Sequence, residues 1–406
     1  MKILFFSTEI WSNSPEGIVV RKYLKGMLEN NYEVDVVTNK KIKIDFFRGK
    51  YFIFDNYFNE FIDKVLKNIL GLEKIGFILN FIKNYKRINI NNYDLIMVRS
   101  EPVSIHIISL FLKKNFPDKK IICSFSDIGY LNPYYSKKFF IKKQISKFIE
   151  RFVFKKADMI THTNKFVFEK YLEKKIIKSE NKNFILENPL ELDKDNLKIK
   201  KQVKNQILNI GYIGSFYGKR SPEPVFSYIA KIDSEKKIKF FIFGGVRNIY
   251  YDKCLGKIGN YFMKKELNTI INLAKKYKIE SQIIITPFLK QVELNKYIYE
   301  NIDVLINVDA FTNEKNVFLS SKIVDYLKYN LPILNFSNEG ASSEFLKKIG
   351  INYYIDYNKK EEFDILKDNL LFLVPDKNKI LNFTSKNLIK KMVETLFNKK
   401  NGERHE

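Results

Sequence analysis

The sequence predicts an α/β protein built from two Rossmann-like, doubly wound domains, and three observations carry that expectation. The chain has 406 residues, too long for one ordinary core and suited to two or three domains of roughly 100–200 residues. Short apolar runs alternate along its whole length with longer amphipathic stretches, which is the rhythm of β-α-β units. Most of those runs are continuously apolar, as strands are when helices cover both faces of a parallel sheet.

The elements follow in order. Met1-Lys2-Ile3-Leu4-Phe5-Phe6-Ser7 reads as a strand that begins at the first residue; it is too short for a signal-peptide core and stops at a polar loop. Further strands are expected at 34–38, 95–99, 121–125, 159–163 and 184–186, then in a second series at 207–213, 240–243, 283–286, 304–307 and 333–336. Helical stretches such as 19–30 and 294–300 lie between them. Asn188-Pro189 closes the first series, and the stretch after it is rich in Lys, Asp and Asn, as an exposed linker is. The expected organisation is a first domain at 1–192, a linker at 193–204, a second domain at 205–385, and a C-terminal helix and tail at 386–406 free to pack back across the linker.

Two stretches of the first domain are unusual. Residues 45–86 interrupt it with many aromatics and several lysines. Residues 130–156 hold eight Lys/Arg, eight aromatics and a single acid, Glu150. Within them Ile141, Ile145, Phe148, Ile149 and Phe152 follow the spacing of one helix face, with Lys143, Lys147, Arg151 and Lys155 on another. That pattern suits a helix lying on an anionic membrane; the plainer reading is a helix packed on its own sheet with a solvated basic face.

Composition narrows the function classes. Apolar residues make up 45% and charged residues 29%, a balance that builds cores. Lys+Arg is 71 against 46 for Asp+Glu, a net charge of +25, so the chain should seek polyanions: nucleic acid, an anionic membrane face or phosphorylated substrates. Two cysteines, Cys123 and Cys254, exclude a disulfide-stapled scaffold, and three histidines argue against a zinc site. There is no uncharged apolar run of about 18 residues to span a membrane, so a cytoplasmic location is expected.

Chemistry is concentrated in the second domain. There Ile210-Gly211-Tyr212-Ile213-Gly214-Ser215 runs from a strand into a small-residue turn, followed by Lys219-Arg220-Ser221-Pro222 and a helix signalled by Pro222. Small residues let a ligand approach the backbone, a helix N-terminus offers free N–H groups to an anion, and an arginine can bind a diphosphate as a fork. The alternative is a polar surface loop with two solvated cations. Further on, Ser320 or Ser321 should cap a helix that ends before Pro332. Lys322 falls in its first turn, where the helix dipole disfavours a cation unless phosphate is near. Asp325 lies one turn beyond Ser321, where a carboxylate can accept from ribose hydroxyls; otherwise it is a surface aspartate on a capped helix.

These two stretches, in this order on this scaffold, resemble the GT-B glycosyltransferases, in particular the retaining family 4 enzymes. Gly-Ser-Phe-Tyr-Gly-Lys-Arg-Ser-Pro at 214–222 and Ser-Ser-Lys-Ile-Val-Asp-Tyr-Leu at 320–327 look like the family's donor-site signatures. Ala157-Asp158-Met159-Ile160 and Glu187-Asn188-Pro189 are similar to elements of its first domain. The resemblance implies two domains facing a cleft, and a sugar moved from a nucleoside-diphosphate sugar to a hydroxyl of a glycan or lipid-linked acceptor, with retention. It implies that Arg220, with Lys219 beside it, holds the diphosphate and that Gly214 and Ser215 line its pocket. Ser321 and Lys322 would face the phosphates, Asp325 the ribose and Phe288 the base. Asp127 would be the acidic residue on the first-domain side, and Gly17, in the loop after the first strand, would face the acceptor. No metal is expected, because cations and a helix N-terminus would neutralise the leaving group, and no Asp-x-Asp signature sits at a strand end.

The sequence also departs from the family. Val317 stands where the first glutamate of the paired motif would fall, with Glu314 nearby at the wrong spacing, and Ser126 precedes Asp127 where a histidine is common. His106 and His162 read as structural. The basic first domain suggests a lipid-linked or otherwise anionic acceptor at the inner membrane face and a role in surface polysaccharide assembly. Two rivals stand beside this reading: a sugar-nucleotide epimerase on the same architecture, and a non-catalytic partner subunit or polyanion-binding protein.

Overall fold

The computed structural model describes residues 1–58, 60–126, 128–131, 140–177, 182–192, 207–216, 219–244, 257–286, 289–312, 315–357, 366 and 370–398. The chain divides into two compact units: Met1–Glu191 with Asn382–Glu406, and Leu192–Leu381. The expected linker at 193–204 lies outside the described residues.

The first unit is built on a seven-stranded sheet of β1 (Lys2–Phe6), β2 (Glu33–Thr38), β3 (Tyr51–Ile53), β4 (Leu95–Arg99), β5 (Lys120–Ser124), β6 (Met159–His162) and β7 (Asn183–Ile185). Their order is β3-β2-β1-β4-β5-β6-β7, and every pairing is parallel. Parallel neighbours need a crossover between them, so helices cover the sheet and the central strands are buried on both faces. All five residues of β4 are buried, which is why that strand is a continuous apolar run up to Arg99.

The helix Pro15–Glu29 opens at Ser14, whose hydroxyl accepts from Gly17 N at 3.1 Å, and Pro15 presets its first turn. Gly17 is therefore inside that turn and not in the preceding loop, because the cap and the proline start the helix three residues earlier. The chain returns to this unit near Asn382: Leu190 N donates to Phe383 O at 2.7 Å, and Ser385 N donates to Leu190 O at 3.3 Å. Helix Ser385–Asn398 then packs on helix Pro15–Glu29 and puts Leu388, Ile389, Met392 and Leu396 into the core formed by Ile3, Phe5 and Tyr23. Gly26 makes that approach possible, since a Cβ there would overlap the backbone of Ser385.

The second unit carries β8 (Leu208–Ile213), β9 (Ile238–Phe243), β10 (Ile283–Thr286), β11 (Val304–Val308), β12 (Ile333–Ser337) and β13 (Ile355–Asp356). Their order is β10-β9-β8-β11-β12-β13, again all parallel. Each expected strand is present, with ends shifted by a residue or two. β3 and β13 were not expected; they are edge strands of three and two residues, too short to announce themselves as apolar runs.

Glu150, His106 and His162 are among the titratable groups buried in the first unit. Glu150 accepts from Tyr130 N (2.8 Å), Ser146 Oγ (2.7 Å) and Tyr171 Oη (2.7 Å), and so fastens the loop after β5 to helix Phe140–Lys156. Burial outweighs those donors and pushes its carboxyl up to about 7. His106 packs at a tilt against Phe125, 4.2 Å between ring centroids, and His162 stacks on the same ring at 6.1 Å. Burial, then the Arg99 charge, pulls His106 down to about 3, and burial pulls His162 down to about 4. Both are core residues, as the sequence suggests.

Two expectations follow. Gly26→Val should destabilise the protein by about 1–3 kcal/mol through overpacking, and limited proteolysis should then cut first in the 385–398 helix. The histidines remove stability as pH falls from 6.5 towards 4, because the unfolded chain takes up protons there that the folded chain refuses. Glu150 acts oppositely: its contribution is full below pH 4.5 and is lost as pH rises through about 7. Denaturant unfolding at several pH values should show His162→Phe gaining on the wild type by roughly 1–2 kcal/mol between pH 6.5 and 5.

Candidate functional site

In an open parallel sheet, ligands sit beyond the carboxyl ends of the strands where the strand order reverses. In the second unit that point lies between β8 and β11, since the chain runs from β8 outward to β10 and then restarts at β11 on the other side. The site is built there.

The end of β8 is shaped by Gly214, whose φ of +131° is one that only glycine adopts without strain. A Cβ on Gly214 would overlap Lys322 Nζ, so the missing side chain is what admits the lysine. Lys322 Nζ donates to Tyr212 Oη at 2.7 Å and lies 4.6 Å from the centre of the Tyr212 ring. Tyr212 stacks on Phe216 at 4.2 Å and donates its hydroxyl to Ser215 O at 3.1 Å. Ser215 Oγ reaches across to Gly244 O at 2.9 Å, which fixes the turn against the end of β9.

Asp309, directly after β11, is buried beside these cations. It accepts from Asn307 Nδ2 at 3.0 Å; burial raises its carboxyl, while hydrogen bonds and the charges of Arg220 and Lys322 oppose that. Burial first, and repulsion from Arg220 second, hold the Lys322 ammonium well below the ordinary lysine value, against attraction from Asp309. Two cations are thus crowded at the end of β8 against one buried carboxylate. A bound dianion would relieve their repulsion, so the arrangement is suited to diphosphate.

The floor beneath is a polar network. Asn307 Nδ2 also donates to Asn335 Oδ1 (2.6 Å), Asn335 Nδ2 donates to Ser337 Oγ (2.8 Å), and Tyr357 Oη donates to Asp309 O (2.7 Å). Ser320 is the N-cap residue of helix Ser321–Tyr326, but its hydroxyl goes to Asn307 Oδ1 (2.9 Å) and not to the first turn. The expected side-chain cap is therefore replaced by a bond to the sheet. Tyr326 Oη, at the other end of that helix, accepts from Ile213 N (3.0 Å) and donates to Ile306 O (3.1 Å), so one hydroxyl clamps the ends of β8 and β11.

The structure thus brings together Gly214, Ser215, Arg220 and Lys322, with Ser321 beside Lys322 in the first turn. Lys219 is exposed and touches the region through its backbone, its carbonyl accepting from Phe311 N at 3.1 Å. Asp325 is half-buried one turn further on; burial first, then Tyr299 and last Asp325 raise the Tyr329 phenol. Val317 is buried. Gly17 belongs to the first unit. Asp127, Phe288 and Glu314 lie outside the described residues. Asp309, Tyr212 and Tyr357 are given no role by the sequence analysis. Asp309 had a usable signal, an acid directly after an apolar strand at the switch point; the two tyrosines had none.

The equivalent point of the first unit, between β1 and β4, holds a different device. Arg99 is buried at the end of β4, forks onto Glu16 at 2.8 and 3.2 Å, donates to Ser124 Oγ at 2.9 Å and lies over the Tyr23 ring at 5.0 Å. It ties the first turn of helix Pro15–Glu29 to two strand ends. A Cβ on Gly17 in that turn would lie 2.6 Å from Glu9 O, so glycine lets the loop after β1 fold back over the helix. Among the described residues no three of His, Cys, Asp and Glu converge as metal ligands would.

No family model and no curated protein matches the sequence. Solved structures match over essentially its whole length. A sucrose-phosphate synthase from Thermosynechococcus elongatus has a TM-score of 0.64 at 13% identity, covering 99% of both chains. The lipopolysaccharide outer core galactosyltransferase WaaB has 0.63 at 13% identity, covering 98% of this chain and 100% of its own. Anabaena HepE in complex with UDP and glucose has 0.64 at 10% identity, with the same coverage. The fold is that of the GT-B glycosyltransferases, two parallel-sheet α/β units.

Gly214→Ala should cost about 1–3 kcal/mol in urea unfolding, since alanine is strained at that φ and must also push Lys322 from Tyr212.

Proposed function

We propose that this chain is a glycosyltransferase that moves a sugar from a nucleoside-diphosphate sugar to a hydroxyl of a glycan or lipid-linked acceptor, with retention. The observation that carries the reading is Lys322 lodged against Gly214 at the β8–β11 switch point, with Arg220 and the buried Asp309 close enough to act on its charge. Anabaena HepE, solved with UDP and with UDP-glucose on this fold, supports such a donor and makes uridine the first base to test.

In the proposed reaction the bond from the sugar C1 to the diphosphate breaks and a bond from C1 to the acceptor oxygen forms. The acceptor proton passes to the departing diphosphate. Arg220 and Lys322 stabilise the charge that develops on that diphosphate, in place of a metal. Lys219, Gly214, Ser215 and Ser321 complete the phosphate side, Asp325 takes the ribose and Phe288 the base. Asp127 supplies an acid on the acceptor side, and the loop before Gly17 faces the acceptor. The basic first unit supports an acceptor at an anionic membrane and a cytoplasmic place in surface polysaccharide assembly. No helix among the described residues is long and apolar enough to cross a membrane.

A thermal-shift screen against UDP, GDP, ADP, CMP and their sugars, with and without EDTA, tests this reading. One nucleoside diphosphate should raise the melting temperature whether or not chelator is present. Arg220→Ala and Asp325→Ala should each weaken that ligand at least about tenfold while melting like the wild type. Wild-type affinity in both variants would sink the site assignment. Shifts by RNA or DNA alone would favour the polyanion binder.

A further inference from the structure

Helix Phe140–Lys156 has two apolar sides. Ile149, Val153 and Phe154 are buried against the unit, as a packed amphipathic helix requires. Phe140, Phe148 and Phe152 face solvent; Phe148 is 64% exposed, and its ring lies 4.6 Å from that of Phe152. The face assigned from spacing is therefore split: Ile149 goes inward, while Ile141, Phe148 and Phe152 go outward.

A second helix continues the exposed surface. Helix Glu60–Leu70 touches the first, and a Cβ on Gly71, just past its end, would lie 2.9 Å from Lys142 Cβ. It exposes Phe61 (74%), Val65 and Ile69. Chains in water rarely leave that much aromatic and aliphatic surface together unless something covers it.

Charge says what covers it. Helix Phe140–Lys156 carries six cations, and its one acid, Glu150, is fully buried, so its exposed face is basic and apolar apart from the neutral Gln144 and carries no acid. Arg151 and Lys155 are exposed beside Phe148 and Phe152, and Lys64 and Lys67 are exposed beside Val65 and Ile69. Apolar side chains fringed by Lys and Arg match a surface with negative headgroups over hydrocarbon. A polyanion in water would satisfy the cations and leave the phenylalanines wet.

We propose that this two-helix face rests on an anionic lipid bilayer, with Phe61, Phe140, Phe148 and Phe152 entering the acyl boundary and the cations at the headgroups. It deepens the membrane-side acceptor proposed above and rests on that reading only for its purpose, since the surface is defined without the donor site.

Co-sedimentation with vesicles of phosphatidylcholine alone, and of an equal mixture with phosphatidylglycerol, tests it. The full chain should pellet with the mixed vesicles and stay in solution with the neutral ones. Phe148→Ser combined with Phe152→Ser should lower the bound fraction at least about tenfold, and Arg151→Glu with Lys155→Glu should do the same. Failure of the wild type to pellet, or full binding by the phenylalanine variant, would overturn the proposal. So would light scattering that shows a dimer dispersed by that variant, because the face would then be covered by a second copy. The melting shift from the nucleoside diphosphate, read on the same proteins, should be unchanged by these substitutions. Its absence in the wild type would count against the transferase reading, while the vesicle data judge the membrane face separately.

Discussion

A sheet whose strands all run one way cannot be closed by hairpins, and both units of this protein live under that constraint. Each strand must be followed by a crossover that lies on a face of the sheet, so the strands are buried and apolar. The one place without a crossover overhead is where the winding changes direction. In the second unit this leaves the ends of β8 and β11 side by side, and Gly214, Lys322 and Asp309 collect there. Tyr326 bridges the two ends and Gly214 opens the space between them.

The polar groups under that site have a cost of their own. Asn307, Asn335, Ser337 and Asp309 are buried at strand ends where apolar residues would be cheaper to bury. They are tolerated because each hydrogen-bonds to the next, and the chain of bonds extends to Ser320 and Tyr357. A network so connected admits few alternative arrangements, which holds Asp309 in place near two cations that repel one another. The first unit meets the same topological point with a closed ion pair, Arg99 on Glu16, which consumes its charges internally and fixes a loop. Similar topology thus yields a cation-rich cluster in one unit and a closed ion pair in the other.

Much of the fold could be read from the sequence because burial on both faces writes long apolar runs. β3 and β13 escaped because two or three residues leave no pattern. The first helix begins at Pro15, four residues before the expected start at 19, and the cap, proline and first-turn acid of Ser14, Pro15 and Glu16 were local signals that passed unused, so Gly17 was assigned to the loop. Lys322 and Gly214 lie 108 positions apart in the chain, and only the family resemblance joined them; their contact needs the β8–β11 pairing. The Ser320 hydroxyl was misread for the same reason: its partner, Asn307, lies on a different element. Helix Phe140–Lys156 was ambiguous because its apolar residues exceed what one face can hold, and three-dimensional packing decides which of them are left outside.

The position of helix Ser385–Asn398 also bears on how the protein is made. Leu388, Ile389, Met392 and Leu396 complete a core whose other members begin at Ile3. A growing chain therefore carries an unfinished first unit, with the groove along helix Pro15–Glu29 open, while the entire second unit is synthesised. The second unit has every strand of its sheet by Asp356 and can fold on the ribosome; the first must wait for residues translated after it. Order of synthesis and order of completion are reversed, and a nascent-chain chaperone would find its target in the half that emerged first.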